Sequence, residues 1–275
     1  MEPDEYERIF RLETTHFWYR ALHSLVFRIA ARHARPAGGA SAAILDAGCG
    51  TGGLATRLAA VGRTTAIDLS PIAIGLAARR GQARLARGDV AHLPFRDGSF
   101  DFIVSTDVLY HRAVEDDKAA LAEIARVCRP GGYLCLTLAA HEWLRSPHDR
   151  VVHTARRYTR RRVREIAVAA GLEVVRLSYF NCALLPVAIV SRLAVRRSAD
   201  TASGSDLHPV PPVLNALLTR LLGLEARLVT WTGLPFGLSI LALLRKPEAP
   251  IGDRVAWAHT PERTACPATP PAIAD

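Results

Sequence analysis

Short apolar runs alternate with amphipathic segments along the first 180 residues of the chain. Runs such as 42–45, 64–67 and 99–105 are bounded by Asp, Gly or Ser and predict buried strands. The segments between them, such as 54–61 and 115–128, carry apolar residues at helical spacing. Strands that alternate with helices are typical of a parallel sheet with helices on both faces. The pattern therefore predicts a doubly wound α/β fold.

The same pattern extends to both ends of the chain and predicts its domain organisation. Four further strands are expected at 83–87, 133–139, 172–180 and 237–244, which gives a sheet of seven. We predict an N-terminal helical cap over 1–40, an α/β core over 41–180, a helical insert or lid over 181–236, the last core strand over 237–246, and a disordered tail over 247–275, rich in Pro, Ala and Thr.

A glycine-rich turn follows the first strand. Asp46 ends the strand, and Gly48, Gly50 and Gly53 lead into an apolar helix. Glycines let a ligand approach the backbone, and a helix N-terminus offers free N–H groups. The spacing also fits the G-x-G-x-x-G fingerprint of dinucleotide sites. Asp46 favours a different ligand, because a carboxylate repels a pyrophosphate but attracts a cation.

Two stretches carry a resemblance to a known family. Residues 46–52, D-x-G-C-G-T-G, resemble the first motif of class I methyltransferases that depend on S-adenosyl-L-methionine (SAM). Residues 121–132 are similar to the L-x-E-x-x-R-V-L-x-P-G-G phrase of the type 11, ubiquinone/menaquinone methyltransferase-like group, where it ends a helix and forms a tight turn. The resemblance implies SAM as cofactor and a seven-stranded Rossmann-like sheet whose last strand is antiparallel.

The resemblance also implies roles for individual residues. Asp68, about 20 residues after the glycine turn, is expected to accept hydrogen bonds from the ribose hydroxyls. Asp89 is expected to bind the adenine amino group, and Val90 to pack on the ring. The full set of cofactor-binding residues predicted in this way is Asp46, Gly48, Cys49, Gly50, Asp68, Leu69, Asp89, Val90, Thr106 and Asp107.

Methyl transfer requires the acceptor to lie in line with the methyl group, and often the removal of a proton. His111 follows the fourth strand and is the first candidate for this base, with Tyr110 and His153 as alternatives. The competing interpretation is a loop histidine that caps a helix or faces solvent. The other predicted site residues are for substrate binding: Trp18 and Tyr19 in an aromatic N-terminal segment, and Arg156, Arg157 and Tyr158, whose arginines offer forks for an acidic group.

Composition narrows the possible partners. The net charge of +9 fits nucleic acid, an anionic membrane surface or an acidic substrate, but no basic patch interleaved with aromatics points to nucleic acid. The five cysteines lack metal-ligand spacing, so we predict no metal and a reduced, cytoplasmic setting. The insert carries a stripe of leucines: Leu214, Leu217, Leu218, Leu221, Leu222 and Leu228. We expect the stripe to bury against the domain as a lid, to line an apolar substrate tunnel, or to dock on the inner membrane face.

The sequence therefore predicts a SAM-dependent methyltransferase. Its acceptor would be a small or lipid-linked molecule of bacterial secondary-metabolite or polysaccharide/lipid biosynthesis. Two alternatives stay open, an NAD(P)-dependent oxidoreductase and a non-catalytic SAM-fold scaffold or binding protein. The acceptor, the methylated atom and the oligomeric state are open as well.

Overall fold

One mixed sheet of seven strands forms the centre of the structure, a computed structural model that describes residues 1–36, 39–190, 205 and 207–248. The strand order is β3-β2-β1-β4-β5-β7-β6. Strand β7 runs antiparallel to both β5 and β6, and the other neighbours are parallel. This confirms the predicted sheet. The strands are β1 Ala42–Ala47, β2 Gly62–Asp68, β3 Leu85–Arg87, β4 Phe100–Thr106, β5 Cys128–Ala139, β6 Glu173–Phe180 and β7 Ser239–Arg245.

Helices cover both faces of the sheet, and several begin at polar caps that the sequence supplies. The Ser70 side chain accepts from Ala73 N, and the Asp116 side chain accepts from Lys118 N. None of the described helices is long and apolar enough to cross a membrane. The helices are α1 Pro3–Leu12, α2 Phe17–His33, α3 Gly53–Leu58, α4 Pro71–Arg79, α5 Asp117–Val127, α6 Pro147–Val151, α7 Arg160–Ala169 and α8 Pro212–Trp231.

Alternate residues of the strands supply the two larger hydrophobic cores, one on each face of the sheet. On one face Leu121 of α5 and Ile166 of α7 pack with Ile103 of β4. On the other face α2, α3 and α8 pack on the neighbouring strand positions, such as Phe102. Fully burying one such side chain contributes roughly 1.5–3 kcal/mol. The two cores fix the strand ends, and with them the loops that carry the site.

Helix α8 lies in the connection between β6 and β7, but it is not placed as a lid. It packs against α2 and β6 on a face of the sheet. Its buried residues are Leu222, Glu225, Ala226 and Val229. Most of the predicted leucine stripe therefore does not face the core. The side of α8 that packs on the protein carries the small Ala226 side chain. Four of its leucines are exposed to solvent: Leu214, Leu217, Leu221 and Leu228.

The segment 129–132 also differs from its prediction as a helix end and tight turn. Helix α5 ends at Val127, and β5 begins at the next residue, so the Arg-Pro-Gly-Gly run belongs to the strand. The pairing of β4 with β5 shifts register across Phe100 and Phe102 to accommodate it. Most of the predicted tail and of the polar segment 200–206 lies outside the described residues.

Candidate active site

A cavity of about 590 Å³ lies at the carboxyl ends of the parallel strands. Its volume is in the range of pockets that bind small molecules, and doubly wound sheets bind their ligands at this edge. Helices α1 and α2 contribute Ile9, Trp18 and Tyr19 to the lining. The loops after the strands contribute Gly48, Cys49 and Gly50 after β1, Asp68 and Leu69 after β2, Asp89 and Val90 after β3, and Thr106, Asp107, Tyr110 and His111 after β4.

The glycine turn brings bare backbone to this cavity. Gly48 has φ +90°, and a Cβ there would meet Cγ2 of Val108 at 2.2 Å, so only glycine fits. Its N–H donates to the Ile67 carbonyl at 2.8 Å. The Gly50 N–H donates to Oδ2 of Asp68 at 2.9 Å, which ties the turn to the end of β2. The turn is thus held from two sides.

Asp68 stands at the end of β2, as a ribose-binding acid requires. Its Oδ1 accepts from Ser70 N and its Oδ2 from Gly50 N, both at 2.9 Å. Burial raises the pKa of this carboxyl above its ordinary value. Each carboxylate oxygen has two lone pairs, so each can accept one more hydrogen bond from a ligand.

Asp46 is buried at the end of β1 beside the turn. It is fully inaccessible to solvent, and neither carboxylate oxygen has a hydrogen-bond partner among the described residues. Burial, together with the nearby negative charges of Glu13 and Asp68, raises the pKa of Asp46 to about 8. A buried carboxyl without a partner is costly, and a cationic ligand group would offset that cost. The site therefore fits the positively charged SAM.

Glu13, which the sequence analysis did not single out, anchors the N-terminal helices to the glycine turn. Its Oε2 accepts from the Thr51 hydroxyl, from Gly53 N at 3.2 Å and from Arg80 Nη2 at 3.1 Å. His23 lies 3.5 Å from Oε1, and burial lowers its pKa to about 3, so it is neutral there. The aromatic residues from Phe17 onwards drew attention to this segment of the sequence. No signal in the sequence, however, indicated that Glu13 is buried.

The residues predicted to bind adenine, and those that follow β4, also face the cavity. Oδ1 of Asp89 accepts from Ala91 N at 2.9 Å, and Val90 lines the wall beside it. Asp107 has φ +61° and accepts from the Thr137 hydroxyl at 3.3 Å. Burial raises the pKa of Asp107 to about 6, and the Tyr110 hydroxyl hydrogen-bonds to it. Every predicted cofactor-binding residue except Asp46 therefore lines the cavity.

The two candidate histidines occupy different positions. His111 lines the cavity; its Nδ1 accepts from Ala113 N at 3.1 Å, and its Nε2 lies 3.1 Å from the N-terminal amine of Met1. Burial lowers the pKa of His111 to about 4. His153 does not line the cavity, and its Nε2 lies 2.8 Å from Oε1 of Glu2. The two ring centroids are 5.6 Å apart.

The predicted substrate-binding run at 156–158 is used largely to hold the chain together. Arg157 lines the cavity, but its guanidinium pairs with Asp149 at 2.9 and 3.0 Å. Arg156 is not part of the lining and donates to the Val114 carbonyl at 2.7 Å. Tyr158 is buried and its hydroxyl donates to Asp117 at 3.0 Å. These three side chains already have partners within the protein, so an acidic acceptor would have to compete with the partners of Arg156 and Arg157.

Apolar residues that the sequence analysis missed form the other part of the cavity. They come from the segment after β5, from α6 and from the connection to β7. No motif marks them, because each is an ordinary apolar residue that only the fold brings to this edge. They include Leu144, Val152, Leu207 and Leu238, together with Val114 from the loop after β4.

Comparisons with known proteins agree with this geometry. The family model Methyltransf_11, a methyltransferase domain, matches residues 45–136. The chain is 41% identical over 100 residues to the malonyl-[acyl-carrier protein] O-methyltransferase of Serratia marcescens, covering 35% of this chain and 38% of that protein. It is 37% identical over 97 residues to the phthiotriol/phenolphthiotriol dimycocerosates methyltransferase of Mycobacterium leprae, covering 33% and 35%.

Residues 45–136 thus resemble the methyltransferase domain of the type 11 family. Solved structures show the same fold. The phosphoethanolamine N-methyltransferase 2 of Haemonchus contortus, in complex with SAM, matches with a TM-score of 0.52 at 18% identity, over 80% of this chain and 52% of that one. The chain spans only about two fifths of the length of the two curated relatives named above, so the activity of the whole methyltransferase is a matter for proposal.

Proposed function

We propose that this protein transfers a methyl group from SAM to an apolar, lipid-like or carrier-linked small molecule in bacterial biosynthesis. The observation that carries the proposal is the single cavity, which joins the glycine turn and Asp68 to the apolar lining at Leu144 and Val152. Two relatives support the acceptor class by their names, which refer to an acyl-carrier protein substrate and to dimycocerosates. Secondary-metabolite, polysaccharide and lipid pathways all contain acceptors of this kind.

At the cofactor end of the cavity, charged side chains and backbone groups would bind SAM. SAM, when bound, supplies a methyl group on a positively charged sulfonium. Asp46, which lies behind the cavity wall, would stabilise the cationic amino acid part of SAM by its charge and without direct contact, and Asp68 would accept from the ribose hydroxyls. Asp89 and Val90 would bind the adenine. Trp18 and Tyr19 of α2 line the same cavity and would exclude water from it.

The acceptor end would select apolar molecules. Its lining residues Val114, Leu144 and Val152 offer no charge, and the Arg157 fork is already occupied by Asp149. An acidic acceptor would therefore have to displace a buried ion pair, which is costly. A neutral acceptor has no such cost, and this favours phenols, hydroxyls or chain-linked groups over free acids.

His111 is the proposed catalytic residue. With Nδ1 engaged by Ala113 N, Nε2 is the ring atom that would meet the acceptor, which would take the place of the Met1 amine 3.1 Å away. The ring is neutral at physiological pH because its pKa is lowered to about 4. Tyr110 and His153 are second choices: burial raises the pKa of Tyr110 well above its usual range, and His153 lies outside the lining.

Substitution at His111 tests both the activity and this role. His111→Ala should lower turnover by roughly 10²–10⁴-fold if the side chain acts directly on the acceptor. His111→Gln keeps an N–H donor, so it should retain most activity if His111 donates and lose it if His111 is a base. The readout is transfer of labelled methyl from SAM to a panel of apolar hydroxyl compounds, with SAM affinity as the control.

Binding assays separate the alternatives. A thermal melt should show stabilisation by SAM and none by NAD(P), since ligand that binds only the native state raises the melting temperature. Stabilisation by NAD(P) alone would favour an oxidoreductase. SAM binding without transfer to any acceptor of the panel would favour a scaffold.

We also propose a cytoplasmic location. The four described cysteines, Cys49, Cys128, Cys135 and Cys182, are unpaired thiols. Free thiols persist in reducing compartments. Fractionation of the native host, with the protein detected in the reduced soluble or membrane-associated cytoplasmic fraction, tests this.

A further inference from the structure

Helix α8 carries a row of large apolar side chains on its outer side. They recur at alternating steps of three and four residues, which places them in one line along the helix. Their exposed fractions run from 43% at Leu221 to 81% at Trp231. We call this row the α8 stripe: Leu214, Leu217, Leu221, Leu224, Leu228 and Trp231.

The packing of α8 does not explain the stripe. The opposite side of the helix, with Leu222, Ala226 and Val229, already packs on α2 and the sheet. Contiguous apolar patches of this kind are uncommon on monomeric proteins and mark sites of contact with a partner or a membrane. Val213, 84% exposed, and Phe236, 53% exposed, extend the apolar surface at either end.

The charges around the stripe are of one sign. Helices α2, α3 and α8 share the core on this face of the sheet, and we call their outer surface the α2–α3–α8 face. Its only acid within these helices is Glu225, which is buried and accepts from Cys182 N at 2.9 Å and Ala183 N at 3.1 Å. The exposed arginines on the three helices are Arg20, Arg28, Arg32, Arg57, Arg220 and Arg227.

This combination fits an anionic lipid surface better than a second copy of the chain. In a two-fold symmetric pair the stripe would meet itself, and Arg220 and Arg227 beside it would face the partner's arginines. Anionic headgroups instead complement these arginines, each basic residue adding to membrane attraction. Trp231 is of the residue type that favours the interface between lipid and water.

We propose that the α2–α3–α8 face docks on an anionic membrane surface, with the α8 stripe buried at the boundary of headgroups and acyl chains. An amphipathic helix of 20 residues lying in the plane of the membrane can act in this way without spanning it. The proposal does not depend on the methyl acceptor. It would place the protein where a lipid-linked acceptor is found.

Vesicle flotation with the full-length protein tests the proposal directly. The protein should float with phosphatidylcholine vesicles that contain about 30 mol% phosphatidylglycerol and float much less with pure phosphatidylcholine. Raising the salt from about 0.1 to about 0.5 M should weaken binding, because it screens the arginines. No binding to the anionic vesicles would overturn the proposal.

Paired variants locate the contact on the molecule. Leu217→Ser combined with Leu224→Ser should lower the vesicle partition coefficient at least tenfold. The matched control is Val168→Ser on α7, which is 59% exposed on the opposite face of the sheet and should change nothing. Equal loss in the control would show a non-specific effect and overturn the assignment.

A second pair separates local charge from net charge. Arg220→Gln with Arg227→Gln should lower partitioning roughly 30-fold, about 2 kcal/mol at 1.4 kcal/mol per tenfold. Arg161→Gln with Arg164→Gln on α7 removes the same charge elsewhere and should have little effect. If light scattering instead shows a stable dimer that Leu217→Ser dissociates, a second copy covers the stripe and the membrane proposal is wrong.

Discussion

At the scale of single residues, the protonation of Asp46 depends strongly on the fold. Its pKa is raised from an ordinary value near 4 to about 8 by burial, so between these pH values the folded protein holds a proton that the unfolded chain has lost. The stabilising contribution of this proton is fully present below about pH 4. It is lost as pH rises towards 8.

We therefore expect Asp46→Asn to stabilise the ligand-free protein at neutral pH by about 1–4 kcal/mol and to weaken SAM binding. Melting temperatures measured from pH 5 to 8 should fall more steeply for the wild type than for the variant. The physical reason is that at neutral pH the folded wild type must take up a proton to keep Asp46 uncharged, whereas Asn is neutral at every pH. Parallel pH curves, or unchanged SAM affinity by calorimetry, would contradict the role given to Asp46.

Asp68 gives the complementary prediction for the cofactor. Asp68→Asn should weaken SAM binding by roughly 1.5–3 kcal/mol per hydrogen bond that loses its charged acceptor. The Asn side chain has only one acceptor oxygen, so either Gly50 N or Ser70 N would lose its hydrogen bond and the glycine turn should loosen. Calorimetry measures the affinity, and Asp97→Asn, at an exposed acid outside the cavity lining, is the control.

Glu13 provides a test of the link between the N-terminal helices and the glycine turn. Glu13→Ala would leave the Thr51 hydroxyl and Gly53 N without their acceptor, each at a cost of about 1–3 kcal/mol. Melting temperature and SAM affinity should fall together, and Glu13→Gln should restore part of both. Glu7→Gln, at an exposed acid of α1, should be neutral.

The site residues show what could be predicted from the sequence and what could not. The positions of Asp46, Asp68 and Asp89 follow from strand ends and motif spacing, which are local properties of the chain. The substrate-binding roles of Arg156 and Tyr158 stay predictions, and their partners, the Val114 carbonyl and Asp117, could not be predicted because they are distant in sequence. Only the tertiary structure shows that these side chains are already bonded.

At the scale of elements, two glycines of the turn allow the cost of backbone strain to be measured apart from the cost of a steric clash. Gly48 and Gly50 both have positive φ, which costs an alanine about 1–2 kcal/mol at either position. At Gly48 a Cβ also clashes with Val108, whereas at Gly50 nothing lies within 4 Å. Gly48→Ala should therefore lower the melting temperature much more than Gly50→Ala. Combining Gly48→Ala with Val108→Ala should recover part of the loss.

Helix α8 shows the limit of periodicity as a predictor of packing. Its sequence is apolar on two sides, since both Leu222 with Val229 and Leu217 with Leu224 recur at helical spacing. A periodic pattern predicts the helix but cannot choose between such sides. The choice depends on fit: Ala226 lets α8 approach α2 closely, and the bulkier leucines are left outside.

At the scale of the whole molecule, the connection between β6 and β7 is part of the core rather than an accessory. Replacing residues 181–236 with a short turn would remove Ala226 and Val229 from the cluster that contains Val26 and Leu241. Each large buried side chain contributes roughly 1.5–3 kcal/mol, against a total stability of about 5–15 kcal/mol. We expect the shortened protein to lose its cooperative melting transition and, with it, SAM binding. The expectation that part of this connection covers the site stays a prediction; its Leu207 lines the cavity.

Two neighbouring residues of α8 test its orientation more directly than the deletion does. Val229 is fully buried against the sheet, and Leu228 beside it is 55% exposed. Val229→Asp would bury an unpaired carboxylate and should unfold the protein, because such a charge finds no partner in an apolar core. Leu228→Asp should leave the melting temperature and SAM affinity nearly unchanged and reduce only vesicle binding. If Leu228→Asp unfolds the protein as well, the α8 stripe is covered in solution, and the orientation of α8 described above is wrong.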